Sequence, residues 1–367
     1  MGRREHSSGG MVEAADTDPG ISTIIITRNR REILREALAH LIRSGQGKGI
    51  DEIILVDNGS TDGTSGMIEA QFPEIQLIRL PRNLGIPEAR NIGALNASRE
   101  LLLFLDDDGA FDCSCLPYIA QFLYENERLA VVACDVIEIK DGEAHVQSSE
   151  LEAGSWKKGQ TGEGSGGMDV PLSYEPRAMS LLAEGEAPTI QPTYTFYGGA
   201  AMLKRSAFLE AGMFPGHFFY SHEEDDLSFR LIAKGYRLAL CPEAIFVHYR
   251  FTGERPNSRK SKIFHYYRNR QWVIWRNLPW QAAIRESWAT LIGGAVRTIF
   301  TPYFPAFLAG SAAALAELIR IICSERSPLS QEQYGRYREL DRELMGYRHR
   351  LGDLLLDLRQ GRRLDWI

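Results

Sequence analysis

Short apolar runs alternate along the first half of the chain with segments whose apolar residues recur every three or four positions, and nearly every run stops on a polar cluster. Ile21 to Thr27, dominated by isoleucine and threonine, predicts an interior strand. Arg28, Asn29 and Arg30 follow, then a helical stripe of Ile33, Leu34, Ala37, Leu38, Leu41 and Ile42. Ile53 to Val56 predicts a second strand ending in Asp57-Asn58-Gly59-Ser60-Thr61-Asp62-Gly63-Thr64, a loop that caps a helix over Ser65 to Gln71. Ile75 to Leu80 is a third strand, and Arg82 to Pro87 leads into a helix from Glu88 to Ala97. Leu101 to Leu105 is a fourth strand, too short for a helix, and it surfaces abruptly in Asp106, Asp107 and Asp108.

Strand and helix in strict alternation predict an α/β fold with a parallel, doubly wound sheet and right-handed crossovers. In such sheets ligands bind beyond the carboxyl ends of the strands. Asp57, the Asn83 to Pro87 loop and the three aspartates all arrive at that edge. Extended backbone alternates its side chains, so Asp106 and Asp108 are expected on one side and Asp107 on the other. Two carboxylates on one side make a hard oxygen site suited to Mg²⁺ or Mn²⁺ beside a diphosphate, whereas an acidic turn closing a strand is the plainer alternative.

Beyond a helix at Leu116 to Asn126 and a strand at Leu129 to Ile139, periodicity dissolves. Residues 141–191 are glycine-rich and irregular, the pattern of a flexible insertion that acts as a lid or is a variable surface excursion. Order resumes with a strand at Tyr194 to Met202, where Gly198 and Gly199 would admit a ligand close to the backbone, and a helix at Arg205 to Ala211. Glu223, Glu224, Asp225 and Asp226 precede an amphipathic helix over Leu227 to Lys234, at an end where the helix dipole favours negative charge. Like charges so close raise one another's pKa, as suits a general base. Tyr236 to Leu240 and Ala244 to Val247 read as two short strands, the second ending in His248.

The last third is helical in pattern. Arg250, Arg255, Arg259, Lys260 and Lys262 form a basic run, either a loop closing over a diphosphate or a solvated linker. Ala282 to Cys323 is apolar but broken by Arg297, Pro302, Pro305, Glu317 and Arg320, so no stretch has the roughly 18 uncharged apolar residues a spanning helix needs. These helices either lie peripherally in a membrane interface or pack on the sheet domain. From Gln331 on, Tyr334, Tyr337, Leu344, Tyr347, Leu351, Leu354 and Leu358 recur at helical spacing, fit for homo-oligomer contact or for packing on their own chain.

Bulk numbers narrow the classes. With 367 residues, three regions are expected: a disordered tail over 1–20, a domain over 21–255 and a helical region over 256–367. A net charge of −6 speaks against a nucleic-acid binder. Five cysteines without zinc-site spacing read as reduced thiols, and the polar start carries no apolar leader segment, so a cytoplasmic location is expected.

Taken together, Ile26-Thr27-Arg28-Asn29-Arg30, Val56-Asp57 to Asp62, Asn83-Leu84-Gly85 with Ala89-Arg90-Asn91, Asp106-Asp107-Asp108, and Glu223 to Leu227 followed by His248 resemble, in order and spacing, the family 2 glycosyltransferases. The resemblance implies the GT-A fold, a Rossmann-like sheet with helices on both faces, here with a C-terminal α-helical extension. It implies inverting transfer of a sugar from a nucleotide-sugar donor, UDP- or dTDP-linked, to a saccharide or lipid-linked saccharide acceptor, assisted by Mn²⁺ or Mg²⁺. Carried over by position, Thr27, Arg28, Asn29 and Asp57 would hold the nucleotide, with Asn83, Gly85, Arg90 and Asp107 supporting it. Asp106 would lie near ribose and metal, Asp108 would ligate the metal, and His248 is a further candidate ligand. Glu224 stands where relatives usually carry an aspartate base, which keeps Asp225 and Asp226 in contention, and Glu223 and Asp226 with Gly198 and Gly199 would face the sugars.

Rival readings share parts of this pattern. A nucleotidyltransferase has the sheet and metal but usually a glycine-rich loop after its first strand, and Thr27-Arg28-Asn29-Arg30 has no glycine. A non-catalytic carbohydrate-binding relative would have no need of Asp106, Asp108 and Glu224 together. A dehydrogenase is disfavoured because no Gly-x-Gly-x-x-Gly follows the first strand.

Overall fold

In the computed structural model, residues 20–140, 143–146, 187–249 and 256–344 are described. The expected helices and strands form within a residue or a few of their predicted bounds: β1 (Ile21–Thr27), α1 (Arg31–Gly45), β2 (Ile50–Asp57), α2 (Thr64–Gln71), β3 (Gln76–Arg79), α3 (Ile86–Asn96) and β4 (Leu101–Asp106). Then come β5 (Gly109–Phe111), α4 (Leu116–Glu125), β6 (Leu129–Lys140), β7 (Glu143–Val146), β8 (Gln191–Thr193), β9 (Ala200–Lys204), α5 (Arg205–Glu210), α6 (Glu223–Ala233) and β10 (Arg237–Tyr249). Four C-terminal helices follow: α7 (Pro256–Asn277), α8 (Trp280–Thr298), α9 (Phe304–Ala316) and α10 (Gln331–Leu344), with a short bent continuation of α9 over Leu318–Glu325.

The sheet has ten strands in the order β3-β2-β1-β4-β9-β6-β10-β5, with β7 and β8 paired at its margins. Its first four strands are parallel, as the alternation predicts. The rest is mixed, because β9 runs antiparallel to both β4 and β6. Apolar layers cover both faces: Leu34, Leu38, Ile119 and Leu123 belong to one, Ala89, Phe208, Leu227 and Leu231 to the other. Aliphatic side chains of β1, β2 and β4 fill both layers, which is why those strands read as continuous apolar runs.

Four expectations are corrected. The strand expected at Tyr194 to Met202 begins only at Ala200; Tyr194 to Gly199 passes over the end of β4, where the Gly199 carbonyl accepts the Asp106 N–H at 3.0 Å. The helix expected from Leu227 starts at Glu223, so all four acids lie in its first turn, and positive φ at Ser221 and His222 prevents it from starting earlier. The two short strands flanking Pro242 are one strand whose register slips between Cys241 and Ile245, a bulge that tolerates a proline without an N–H. Arg259, Lys260 and Lys262 lie in α7 and not in a loop, while Arg250 and Arg255 fall outside the described residues.

A third apolar cluster joins Phe218 and Phe229 to Trp272, Val273, Ile274, Leu278, Ala283 and Ala314, so the C-terminal helices pack on the sheet domain through α6. Asp226, fully buried, pins that joint: Arg230 donates at 2.8 Å and Asn277 at 2.9 Å, and the Arg276 guanidinium forms an ion pair at 3.0 Å. Among the described residues no single helix is long and apolar enough to cross a membrane. The cysteines are unbridged thiols, four buried and Cys323 exposed. The expected tail, most of the 141–191 insertion, and Tyr347, Leu351, Leu354 and Leu358 lie outside the described residues.

Candidate functional site

Strand register lines up the first polar side chains. Thr27 pairs with Asp57 across β1 and β2, and Ile26 pairs with Asp106 across β1 and β4. Asp57 is buried and shaped by its own loop, accepting the Ser60 N–H at 2.8 Å and the Ser65 hydroxyl. Asn29 ties the β1 loop to it, donating its N–H to Ser60 at 2.9 Å and accepting from Thr61 N–H at 2.7 Å, while Arg28 is exposed. Asn58 reaches across to the next loop, donating to the Gly85 carbonyl at 3.0 Å and accepting the Leu84 N–H at 2.8 Å. Asn83 closes that loop on the Gly85 N–H at 2.9 Å, and Gly85 holds φ +89°, which suits a residue without a Cβ.

The three aspartates divide. Asp106 accepts from Arg90 Nη2 at 3.0 Å and from the Tyr197 hydroxyl at 2.6 Å. Asp107 and Asp108 share Arg30 Nη1, at 2.7 and 2.6 Å. The expected opposition of Asp107 to both neighbours is thus incomplete, because the strand stops at Asp106 and the two later residues sit in a turn where alternation no longer holds. Antiparallel pairing of β5 with β10 sets His248 opposite Gly109 and brings its Nε2 to 3.1 Å from Asp108 Oδ1. Burial pushes Asp107 up to about 6 against the pull of Arg30. Asp108 is buried too, yet His248 and Arg30 together hold it below the ordinary carboxylate value.

Ligand atoms of Asp106, Asp108 and His248 all lie within 4.8 Å of one another. Two carboxylate oxygens and one imidazole nitrogen fit a divalent cation; the nitrogen suits Mn²⁺ better than Mg²⁺, which prefers oxygen alone.

The acidic turn of α6 faces this group through one side chain. Arg90, buried, contacts Asp106 with Nη2, and with Nη1 it reaches Glu224 Oε1 at 3.2 Å and Glu223 Oε1 at 3.5 Å. The Gly198 N–H also donates to Glu224 Oε1 at 3.2 Å. A Cβ at Gly198 would strike Glu224 and Arg90, and one at Gly199 would strike the Asp106 carboxylate, so both glycines are required by close approach of protein groups. Burial raises the pKa of both acids; Glu223, with Glu224 beside it, is pushed up to about 8, while Arg90 opposes the rise. Asp225 turns to His222 Nδ1 at 2.7 Å and the Thr195 hydroxyl at 3.3 Å. Asp226, expected near the sugars, lies instead at the joint with α7, because one helical residue beyond Asp225 points to another face.

Three contributors escape sequence reasoning. Arg30 closes on the acids, Tyr197 holds Asp106, and Asn269 in α7 donates its amide to the carbonyls of Phe218, Tyr220 and Ser221 at 3.0, 2.7 and 2.9 Å. That last contact stabilises a loop with positive φ at Phe219, Ser221 and His222, immediately before the acidic turn. Arg30 already stood in the motif; nothing in the local pattern around Asn269 signals a partner some 50 residues away.

A sequence model of "Glycosyl transferase family 2" matches residues 22–210, just over half of the chain. The chain is 27% identical over 269 residues to N-acetylgalactosaminyltransferase 6 of Drosophila melanogaster, covering 70% of this chain and 38% of that protein. It is also 27% identical over 270 residues to the uncharacterized glycosyltransferase YfnE of Bacillus subtilis (strain 168), covering 65% and 66%. The chain therefore spans well under half of the first of these. Among solved structures, GalNAc-T7 with UDP, GalNAc and Mn²⁺ superposes with a TM-score of 0.53 at 16% identity, covering 83% of this chain and 56% of that one. TarS residues 1–349 of S. aureus with UDP-GlcNAc gives 0.52 at 16% identity, covering 83% and 81%. Those likenesses establish a shared GT-A fold.

Proposed function

Because this chain belongs to glycosyl transferase family 2, we propose that it moves a sugar from a nucleoside diphosphate, UDP- or dTDP-linked, to a hydroxyl of a glycan or lipid-linked saccharide, with inversion at the anomeric carbon. The observation that carries this is the single guanidinium of Arg90, in contact with Asp106 on one side and Glu224 on the other. Single displacement needs a leaving-group site and a base on opposite sides of one sugar, and Arg90 holds a carboxylate of each group within reach of one guanidinium.

Residues beyond β2 and β3 suit the nucleotide: Asp57 and the Asn83 to Gly85 loop offer preformed polar groups. Asp106, Asp108 and His248 would hold Mn²⁺ or Mg²⁺, which when bound supplies Lewis-acid stabilisation of diphosphate charge. Glu224 takes the acceptor hydroxyl proton as the new carbon–oxygen bond forms and the bond to the diphosphate breaks, the electron pair leaving with the nucleotide. Its raised pKa makes it a stronger base than a solvated carboxylate. Arg90 opposes that rise, favouring the ionised form that accepts a proton.

Thermal-shift screening of UDP-, dTDP- and GDP-sugars with Mn²⁺ or Mg²⁺ identifies the donor, since a ligand that binds the folded state raises Tm. NMR of the anomeric proton in the product then reads the stereochemistry. Retention of configuration, or no stabilisation by any nucleotide sugar, would contradict the proposal.

A further inference from the structure

The outer side of the C-terminal helices is apolar where a solvated surface would be charged. Ile284, Trp288, Ile292, Val296 and Ile299 recur about every fourth residue along α8 and are all exposed. On α9, Phe307, Gly310 and Ala314 are buried, whereas Leu308 and Leu315 face outward, and Ile319 continues the ridge. The two ridges converge at the turn between the helices, where Phe300 is 96% exposed, and no charged residue occurs from Thr298 to Ala316. Monomeric soluble proteins rarely leave so continuous an apolar surface open.

Cations border this turn. Arg259 lies over the Tyr303 ring at 5.3 Å, Lys260 beside it is exposed, and Arg297 precedes the uncharged stretch. One face of helix α9 is already buried in protein, and its continuation over Leu318–Glu325 is bent from it by 45°. An apolar face left open beside a protein-covered one suits a helix lying along an interface.

We propose that the outer faces of α8 and α9 dock on an anionic phospholipid surface, Phe300 entering the acyl boundary and the cations around Tyr303 meeting lipid phosphates. Helix α7, on which α8 and α9 pack, also touches the loop before Glu224: Tyr266 contacts His222 with ring centres 4.5 Å apart and Lys262 lies 5.7 Å from the Tyr220 ring. Docking would thus bring a lipid-carried acceptor to the same helical region that braces Glu224, a consequence that rests on the function proposed above; the docking itself does not.

The full chain is floated with phosphatidylcholine vesicles with and without phosphatidylglycerol, in the absence of donor and acceptor. Binding is expected to anionic vesicles, weakened by salt, with a blue shift of tryptophan emission as Trp288 leaves water. Leu308→Glu with Leu315→Glu is expected to cut binding tenfold or more, since both leucines would otherwise leave water on docking, and Lys260→Glu to weaken it while leaving Tm unchanged. Hydrolysis of nucleotide sugar in solution should be unaffected by these three substitutions, and its absence from the wild type would count against the enzyme reading and not against docking. Wild-type protein that stays with no vesicle, or vesicle binding untouched by the paired glutamates, overturns the proposal. So does a wild-type dimer in sedimentation that those glutamates convert to monomer, which would assign the face to a second copy of the chain.

Discussion

Nη1 of Arg90 lies 3.2 Å from Oε1 of Glu224, while the same guanidinium reaches Asp106 at 3.0 Å. One cation thus neutralises carboxylates that arrive on different elements, β4 and α6, and fixes their spacing. Removing one partner of a buried charged network commonly costs about 3–5 kcal/mol, because the remaining charges stay desolvated. Arg90→Ala is expected to lose stability of that order in denaturant unfolding. Arg90→Lys keeps the charge but not the fork, so it should fold and lose at least tenfold in transfer. An alanine variant as stable as the parent would refute the bridging role.

Glu224 and Asp225 adjoin in sequence yet differ in surroundings. Glu224 meets Arg90 and the Gly198 N–H, whereas Asp225 is engaged by His222 and Thr195. Glu224→Gln is expected to keep donor affinity and to lower kcat by about 10²–10⁴, the usual worth of a general base. Asp225→Asn should cost far less. Comparable losses in the two variants would reassign the base.

Much of this site was legible before any coordinates. Asp57, Asp106 and the Asn83 loop could be placed at one edge because apolar runs ending in polar clusters define strand direction locally. The parallel half of the sheet followed for the same reason. What stayed hidden was set by contacts distant in sequence: the antiparallel insertion of β9 beside β4, the anchoring of Asp226 by Arg276, and the hold of Asn269 on the loop before α6. Pro242 broke a pattern that the real strand absorbs as a bulge.

Burial of Glu223 couples stability to pH. A carboxyl whose folded pKa lies above its unfolded value binds more protons when folded, so stability falls as pH rises. For Glu223 the window opens at its ordinary 4.5 and closes near its raised value of about 8. Tm should therefore decline between pH 5 and pH 8 (roughly those limits), and Glu223→Gln should flatten the decline. An identical slope in the variant would show that another group carries it.

Asp108 is expected to be indispensable to metal-linked nucleotide binding. Arg30 occupies the same carboxylate, so a cation must compete with a guanidinium 2.6 Å away. Asp108→Asn should abolish Mn²⁺-dependent stabilisation by nucleotide, as chelator does for the parent. Arg30→Ala should tighten Mn²⁺ binding in calorimetry, and His248→Ala should narrow the preference for Mn²⁺ over Mg²⁺ by removing the nitrogen donor. Unchanged Mn²⁺ affinity in Asp108→Asn would place the metal elsewhere.

Asn269 braces the loop before the proposed base, Glu224, without touching Glu224 itself. Its amide satisfies three carbonyls of a loop whose positive φ values at Phe219, Ser221 and His222 are costly for non-glycine residues. The Phe219 carbonyl in turn accepts the Ile86 N–H at 2.9 Å, so the loop also braces the start of α3, the helix that carries Arg90. Asn269→Ala leaves the half-buried Tyr220 and Ser221 carbonyls without this donor, at a cost of about 1–3 kcal/mol, the Phe218 carbonyl keeping Arg268 Nη2 at 2.8 Å, and lets the acidic turn drift from Arg90. The expected result is a fall in kcat of tenfold or more that exceeds any change in donor KM, since the loop leads straight into the acidic turn and meets the Asn83 to Gly85 loop only at Gly85 and Ile86. Asn269→Asp, which cannot donate when ionised, should behave like alanine. Equal losses in kcat and in donor affinity would mean that the residue serves only the packing of α7.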